Sequence, residues 1–517
     1  MKMNRRNLLR GAGGLSALAA LGIRPDQVMA AEDGILLVRF SNDPNVLDPG
    51  YMIGSNDATV QFAVLPRLAL PVRGEDGVWT WMPSDLVESL TQDDDLHISF
   101  TLKPGFEWSG GYGDVNAEDV KFSYERILES DWSSRFPTLE RVDVHDEYSG
   151  TIVFNAPFGG VFLLGIANES GTIISKAAME AQGITQFTTE LPAHCGPYVI
   201  ADWRRNERMI LRRNPDWPGS LPDFDEIRLV IVPDLNIAEL ALEAGDVMVT
   251  EVVPETASRY AENPPPGITL SNLEGGNLYT WMGMNTEHPL LEDIRVRKAI
   301  QRAVDVDSIL VAAYGGVSPK AFGIIPPGTI GHRESAGYTY DPDEARALMA
   351  EAGVSGLTLE LQTLGDGFFL TAAQIIQANL ADIGITVEIT PVEAGRFWNL
   401  GLESQGEEWR DLQIWLMRYR TTPEPSDAIS WFVSSQVGIW NWERWTDPEF
   451  DRLYDEGITE TDLERRQAIY ERMQEIMDDT GAYLYITHDV EPVAHVDTVQ
   501  PAFQSGGGLL PNLTAKA

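Results

Sequence analysis

Between Leu278 and Val311 the chain changes period: LYTWMGMN alternates like a β-strand, HPLLED interrupts it, and IRVRKAIQRAV then repeats apolar residues at helical spacing. A strand that turns directly into an amphipathic helix restricts the chain to folds that pack helices against a sheet. In the helix, read from Glu292 onward, Val296, Ala299, Ile300, Ala303 and Val304 form one apolar stripe, and Arg295, Arg297, Lys298 and Arg302 fall mainly off it. Glu292 and Asp293 stand at the end where the helix dipole favours carboxylates. A second short helix is expected from Asp307 to Ala313, capped by Asp305 and ended by Gly315 and Gly316. The same rhythm recurs on both sides. IRLVIVPDLNIAELALEAGDVMV reads as strand, helix from about Asn236 to Ala244, and turn, a βαβ-like unit that implies parallel sheet. Residues 341–353 predict a helix, Leu357–Thr363 a strand, Leu370–Ile383 a helix and Ile385–Thr390 a strand. The expected class is α/β.

The 517 residues are enough for two or three lobes with a sizeable core, and 43% hydrophobic with 22% charged residues is ordinary for a folded chain. The charge is not ordinary. A formal net of −40 becomes −44 without the first 30 residues, which carry five Lys or Arg and one Asp. Nucleic acid and anionic membranes require positive potential, so neither is an expected partner. An acidic solvated shell explains the charge, and it also favours cationic solutes. The N-terminus has Arg5 and Arg6, then Leu8, Leu9 and Arg10, a weakly apolar run from Gly11 to Ile23, and Val28-Met29-Ala30. This pattern reads as a bacterial twin-arginine signal covering residues 1–30, its apolar run too short and too rich in glycine to span a membrane. Cys195 is the only cysteine, so stability is expected from the core and not from a disulfide.

Further along, Ile35–Ser41 predicts a first strand, residues 58–70 a helix, Leu96–Leu102 a strand, and AEDVKFSYERIL a helix capped near Asn116. Tyr198–Trp203 and Met209–Arg212 predict a hairpin across Arg205-Asn206-Glu207. The glycine-rich SGGYGDVN has neither a following Lys-Ser/Thr nor a lack of acids, so it is not a phosphate cradle.

Three well-spaced segments carry a resemblance: FTLKPGFEWSGG…AEDVKFS, GPYVIADW…RRNPDW, and the strand-to-helix stretch with EDIRVRKAIQRAVDVDSI. They resemble, in order, signatures of the extracellular solute-binding proteins of ABC importers, family 5, the dipeptide, oligopeptide and nickel-binding family. The resemblance extends over essentially all of the chain after the signal. It implies a two-lobed periplasmic-binding-protein fold of the second type, hinged, with an extra subdomain. The division it implies is a first lobe from 31–50, 186–277 and 487–517, an inserted subdomain from 51–185, and a second lobe from 278–486. It implies a monomeric periplasmic receptor, without cofactor or metal, that closes on a small molecule or peptide and delivers it to a permease served by cytoplasmic ATPase subunits.

The stretch expected to touch ligand is Leu412–Trp445, where aromatic density rises with Trp415, Tyr419, Trp431, Phe432, Trp440, Trp442 and Trp445. Trp415 and Phe432 read better as core. Trp440 and Trp442 lie in a loop with Gly438, and alternation there would put both rings on one side. In peptide-binding members an Asp four residues before the Pro of an acid-Pro pair holds the peptide amino group; counting back from Pro425 reaches Thr421. Asp427, Glu424 and Glu443 are the nearby carboxylates that would substitute. Arg418 and Arg420 suit a ligand carboxylate, or an acidic surface. The other expected lining element is Tyr51–Asp57, with Met52, and with Asp57 as either a cation ligand or a helix cap. Tyr279 and Trp281 share a face of their strand and complete the set.

An exported carboxylate-dependent glycoside hydrolase is the alternative from another class, with Asp427 paired to Glu424 or Glu443. The adjacent His194 and Cys195 diverge on an extended segment and make a poor thiol nucleophile. The expected ligand is a short peptide, opine or amino-acid derivative, with an oligosaccharide as the rival.

Overall fold

The computed structural model describes residues 34–51, 54–74, 77–271, 276–365, 367–505 and 507–517; the segment read as an export signal lies outside them. Two mixed sheets organise these residues. The first has seven strands in the spatial order Ile268–Ser271, Val493–Val496, Val249–Glu251, Ile35–Phe40, Glu226–Ile231, Arg208–Arg213 and Tyr198–Arg204. Ile35–Phe40 is parallel to both of its neighbours. Its ILLVRF run is buried nearly throughout, as a strand covered on both faces must be. The βαβ unit is present: Glu226–Ile231 leads into helix Leu235–Ala244, capped by Asp234 and stopped by Gly245, and then into Val249–Glu251. The hairpin also forms, with Asn206 in the left-handed region at φ 58°.

The second sheet runs Ile385–Val392, Leu357–Leu364, Ile414–Arg420, Leu278–Met284 and Tyr483–Asp489. Leu278–Met284 is buried along its whole length between two antiparallel neighbours. Its two faces serve two cores. Met282 and Met284 meet Leu416, Leu484 and the packed helices, while Tyr279 and Trp281 meet Trp415, Met417 and Tyr483. Gly283 belongs to the second face, where a Cβ would lie 2.4 Å from the Trp415 ring and 2.5 Å from Glu443 Oε1. The following helices are Ile294–Ala303, capped by Asp293, and Val306–Tyr314, capped by Asp305 and stopped by Gly315 at φ 62°. Arg297 departs from the expectation of an outward-facing cation. It is buried, and its guanidinium donates to the carbonyls of Leu291 (2.6 Å), Glu292 (2.9 Å) and Thr480 (2.7 Å). There it satisfies the Thr480 carbonyl at the end of helix Leu463–Thr480, and the other two carbonyls lie just before helix Ile294–Ala303.

The chain passes from the first sheet to the second between Ser271 and Leu278, and returns between Asp489 and Val493. Within the first half lies an antiparallel four-stranded sheet, Val87–Gln92, His97–Leu102, Ser149–Phe154 and Leu139–Val144, with a separate hairpin Ala69–Arg73/Trp79–Pro83. Helix Ala117–Ile127 has the Asn116 cap read from the sequence, closed into a box by Asp119. The helix expected over 58–70 is instead Ser55–Val64, and Ala69–Arg73 is strand. Pro66 is the reason: it restricts Leu65, which is extended at φ −121°, ψ 144°.

Candidate ligand-binding site

Strand Ile414–Arg420 delivers the site. Tyr419 lies opposite Tyr279 in the antiparallel register, with the rings 6.0 Å apart and near perpendicular, so Tyr279 buttresses Tyr419 from inside. Tyr419 then packs on Trp431 at 3.8 Å, and Trp431 stacks on Trp440 at 4.9 Å and 16°. All three are half-buried, giving a continuous aromatic shelf.

Beside the shelf the chain turns into helix Pro425–Ile429. Asp427 is held there by three donors to one oxygen: Thr421 Oγ1 at 3.1 Å, Thr422 N at 2.8 Å and Thr422 Oγ1 at 2.9 Å, all to Oδ2. Arg135, which precedes strand Leu139–Val144 of the four-stranded antiparallel sheet, approaches the same oxygen at 3.4 Å. Oδ1 accepts no hydrogen bond among the described residues, and the Asp427 side chain keeps 21% exposure. The Arg135 guanidinium also lies 4.9 Å from the Trp132 ring. Burial, reinforced by Asp427, pushes the Tyr419 phenol up to about 12, so it remains a neutral donor and acceptor.

Other expected residues have structural partners. Tyr279 and Trp281 are buried, and Trp281 Nε1 donates to Glu443 Oε1 at 2.9 Å. Trp442 is buried against Trp415 and Phe397 with its indole N–H on the Ile439 carbonyl, so Trp440 and Trp442 do not share a side. The alternation reading fails because this segment is a turn and not a strand, with Arg444 at φ 62°. Arg418 pairs with Asp489 at 2.6 Å and Arg420 with Glu491 at 2.6 Å. Asp57 accepts from Asn45 N (2.6 Å) and Gly54 N (3.2 Å) at the start of helix Ser55–Val64, its capping role. Met52 lies outside the described residues.

The alternative carboxylates are committed elsewhere. Glu424 is buried in an ion pair with Arg466 at 2.6 Å. Glu443 is buried, and desolvation pushes its carboxyl up to about 8. Neither forms a solvent-facing carboxyl pair with Asp427, as glycoside hydrolysis would need. Cys195 is buried and its thiol is pushed up to about 12, the opposite of an activated nucleophile.

Residues 82–440 match the model of the bacterial extracellular solute-binding proteins, family 5 Middle. The chain belongs to this family. As a family 5 solute-binding protein it is 26% identical to a probable D,D-dipeptide-binding periplasmic protein of Escherichia coli, over 88% of this chain and 89% of the relative. Its two-lobed α/β fold is shared with HbpA2 from Haemophilus parasuis, with TM-score 0.81, 21% identity and 93% of this chain against 100% of that one. It is also shared with a periplasmic binding protein from Helicobacter pylori in complex with the peptide STSA, with TM-score 0.73, 21% identity and coverage of 93% and 98%.

Of the residues expected from the sequence, the structure brings Tyr419, Trp440, Thr421 and Asp427 of this solute-binding protein together; Arg135 and Thr422, which join them, were not among those expected. Arg135 stands 292 positions from Asp427 and has no local signal that could have linked them.

Proposed function

We propose that this family 5 protein is the periplasmic receptor of an ABC importer for a small zwitterion: a short peptide, an opine or an amino-acid derivative. The observation that carries this reading is the pairing of Asp427 with Arg135. A ligand ammonium would meet the carboxylate through its unoccupied Oδ1, a ligand carboxylate would meet the guanidinium, and the shelf Tyr419–Trp431–Trp440 would cover the organic part. Asp427 thus offers, six residues downstream, the carboxylate missing at Thr421, and the Thr421 hydroxyl orients it. The D,D-dipeptide-binding relative and the peptide-bound structural neighbour support the same ligand class.

The lobes are 31–50, 186–277 and 487–517 for the first and 278–486 for the second, with 51–185 as the inserted subdomain. The two crossings between sheets act as the hinge, and a closed receptor is what the permease engages. Export by the twin-arginine route, a monomeric state and the absence of catalysis complete the proposal. A thermal-shift screen of di- and tripeptides, opines and β-linked oligosaccharides tests it. A bound zwitterion at 100 times its Kd adds about 2.7 kcal/mol of stability. Stabilisation by sugars alone would replace the zwitterion reading.

A further inference from the structure

A second cavity, of about 740 Å³, opens between the inserted subdomain and the second lobe, on residues distinct from those of the Tyr419 shelf. Its volume falls within the range of small-molecule pockets, about 300–1,000 Å³. From the subdomain come Trp79, Trp81, Phe158 and Phe162, and from the second lobe Ile330 and Leu463. Trp81 and Phe162 are stacked at 3.9 Å with planes 8° apart, a flat wall that another ring can extend. Val78 and Leu463, two of the large apolar side chains exposed to solvent, stand among the lining residues at 39% and 64% exposure.

The buried charged groups of this cavity are Glu424 and Arg466, with Thr80, Gln92 and Thr461 also on its wall. Glu424 is only 2% exposed and lines the cavity with Arg466. Its Oε1 takes Arg466 Nη2 at 2.6 Å, Ser426 Oγ at 2.8 Å and Ser426 N at 3.2 Å. Arg466 also donates to the carbonyls of Gly457 and Gly159. Glu424 Oε2 accepts no hydrogen bond among the described residues. That oxygen lies against Gly160, itself on the cavity wall, where a Cβ would come within 2.6 Å of it. A carboxylate oxygen without a donor among the described residues, in a pocket walled by indole and phenyl rings, is complementary to a protonated amine on an aromatic body. The chain's net charge of −40 enriches such cations nearby.

We propose that this cavity is a second ligand site, distinct from the zwitterion site, that takes an aromatic amine: its ring against Trp81 and Phe162, its ammonium toward Glu424. An occupant there touches both the subdomain and the second lobe, so it favours the closed receptor and binds in positive linkage with the zwitterion.

Isothermal titration of the full chain with tryptamine tests this, with indole-3-acetate as the same ring carrying the opposite charge. Tryptamine is expected to bind at least about tenfold more tightly than indole-3-acetate. Trp81→Ala and Leu463→Arg are each expected to weaken tryptamine about tenfold, whereas Asp427→Asn leaves it unchanged. Leu463 is 64% exposed, so its variant folds even where Trp81→Ala does not, and it places a cation at the cavity. Equal binding of the two indoles, or no tryptamine binding at millimolar concentration, overturns the proposal. So does tryptamine affinity that survives Leu463→Arg. Loss of tryptamine binding in Asp427→Asn alone would place the amine on the Tyr419 shelf instead. A failed zwitterion screen with intact tryptamine binding would reject the first site and keep the second.

Discussion

Asp427 is positioned through one carboxylate oxygen and offers the other, which makes it the residue where charge recognition concentrates. Asp427→Asn keeps an acceptor for the two threonines and removes the charge. It is expected to weaken a zwitterionic ligand by about 2 kcal/mol, roughly thirtyfold, in a calorimetric titration, with little change in Tm. The tryptophans divide in the same concrete way. Trp440→Ala removes a half-buried ring from the shelf and is expected to lower affinity roughly fivefold, about 1 kcal/mol. Trp442→Ala empties a core site, where Gly401 has no Cβ so that the indole can lie against it, and is expected to cost about 3–5 kcal/mol in denaturant unfolding. Both rings lay in one aromatic-rich stretch of sequence. Composition located the stretch, and the turn around Asn441 sorted its members.

At the scale of elements, the strand Leu278–Met284 was legible because its residues alternate closely enough to read as a strand before HPLLED breaks the pattern, and the helices after it because Asp293, Asp305 and Gly315 are their caps and stop. What that strand packs against was not legible. Its Trp281 holds Glu443, whose carboxyl burial raises from an ordinary 4.5 to about 8. Below the ordinary value both folded and unfolded chains are protonated at this group. Between the two values the folded chain retains a proton that the unfolded chain has lost, so stability falls as pH rises through this window and levels off above about 8. Glu443→Gln keeps an acceptor for the indole and cannot ionise. It is expected to match the wild type near pH 5 and to exceed it near pH 8.5 by at least about 2 kcal/mol. Urea unfolding at the two pH values checks this; equal differences at both would show that Glu443 does not titrate in this window.

For the whole molecule, the chain passes between the two sheets before Leu278 and after Asp489, and Arg135–Asp427 is one of the contacts among the described residues that reach across between the halves they organise. If the proposed closure is right, small-angle scattering will show a smaller radius of gyration when a screened ligand is added, and Arg135→Ala will weaken that response. Curves that superpose with and without ligand would reject it. The sequence by itself determined the α/β class, most strand and helix positions, and the family, because periodicity, caps and turn residues act over a few neighbouring positions. Only the tertiary structure decided that Arg135 faces Asp427, that Arg418 belongs to Asp489, and that Glu424 lines a cavity with Trp79, Trp81 and Phe162. Those outcomes depend on burial and on partners far away in the chain, to which local spacing is blind.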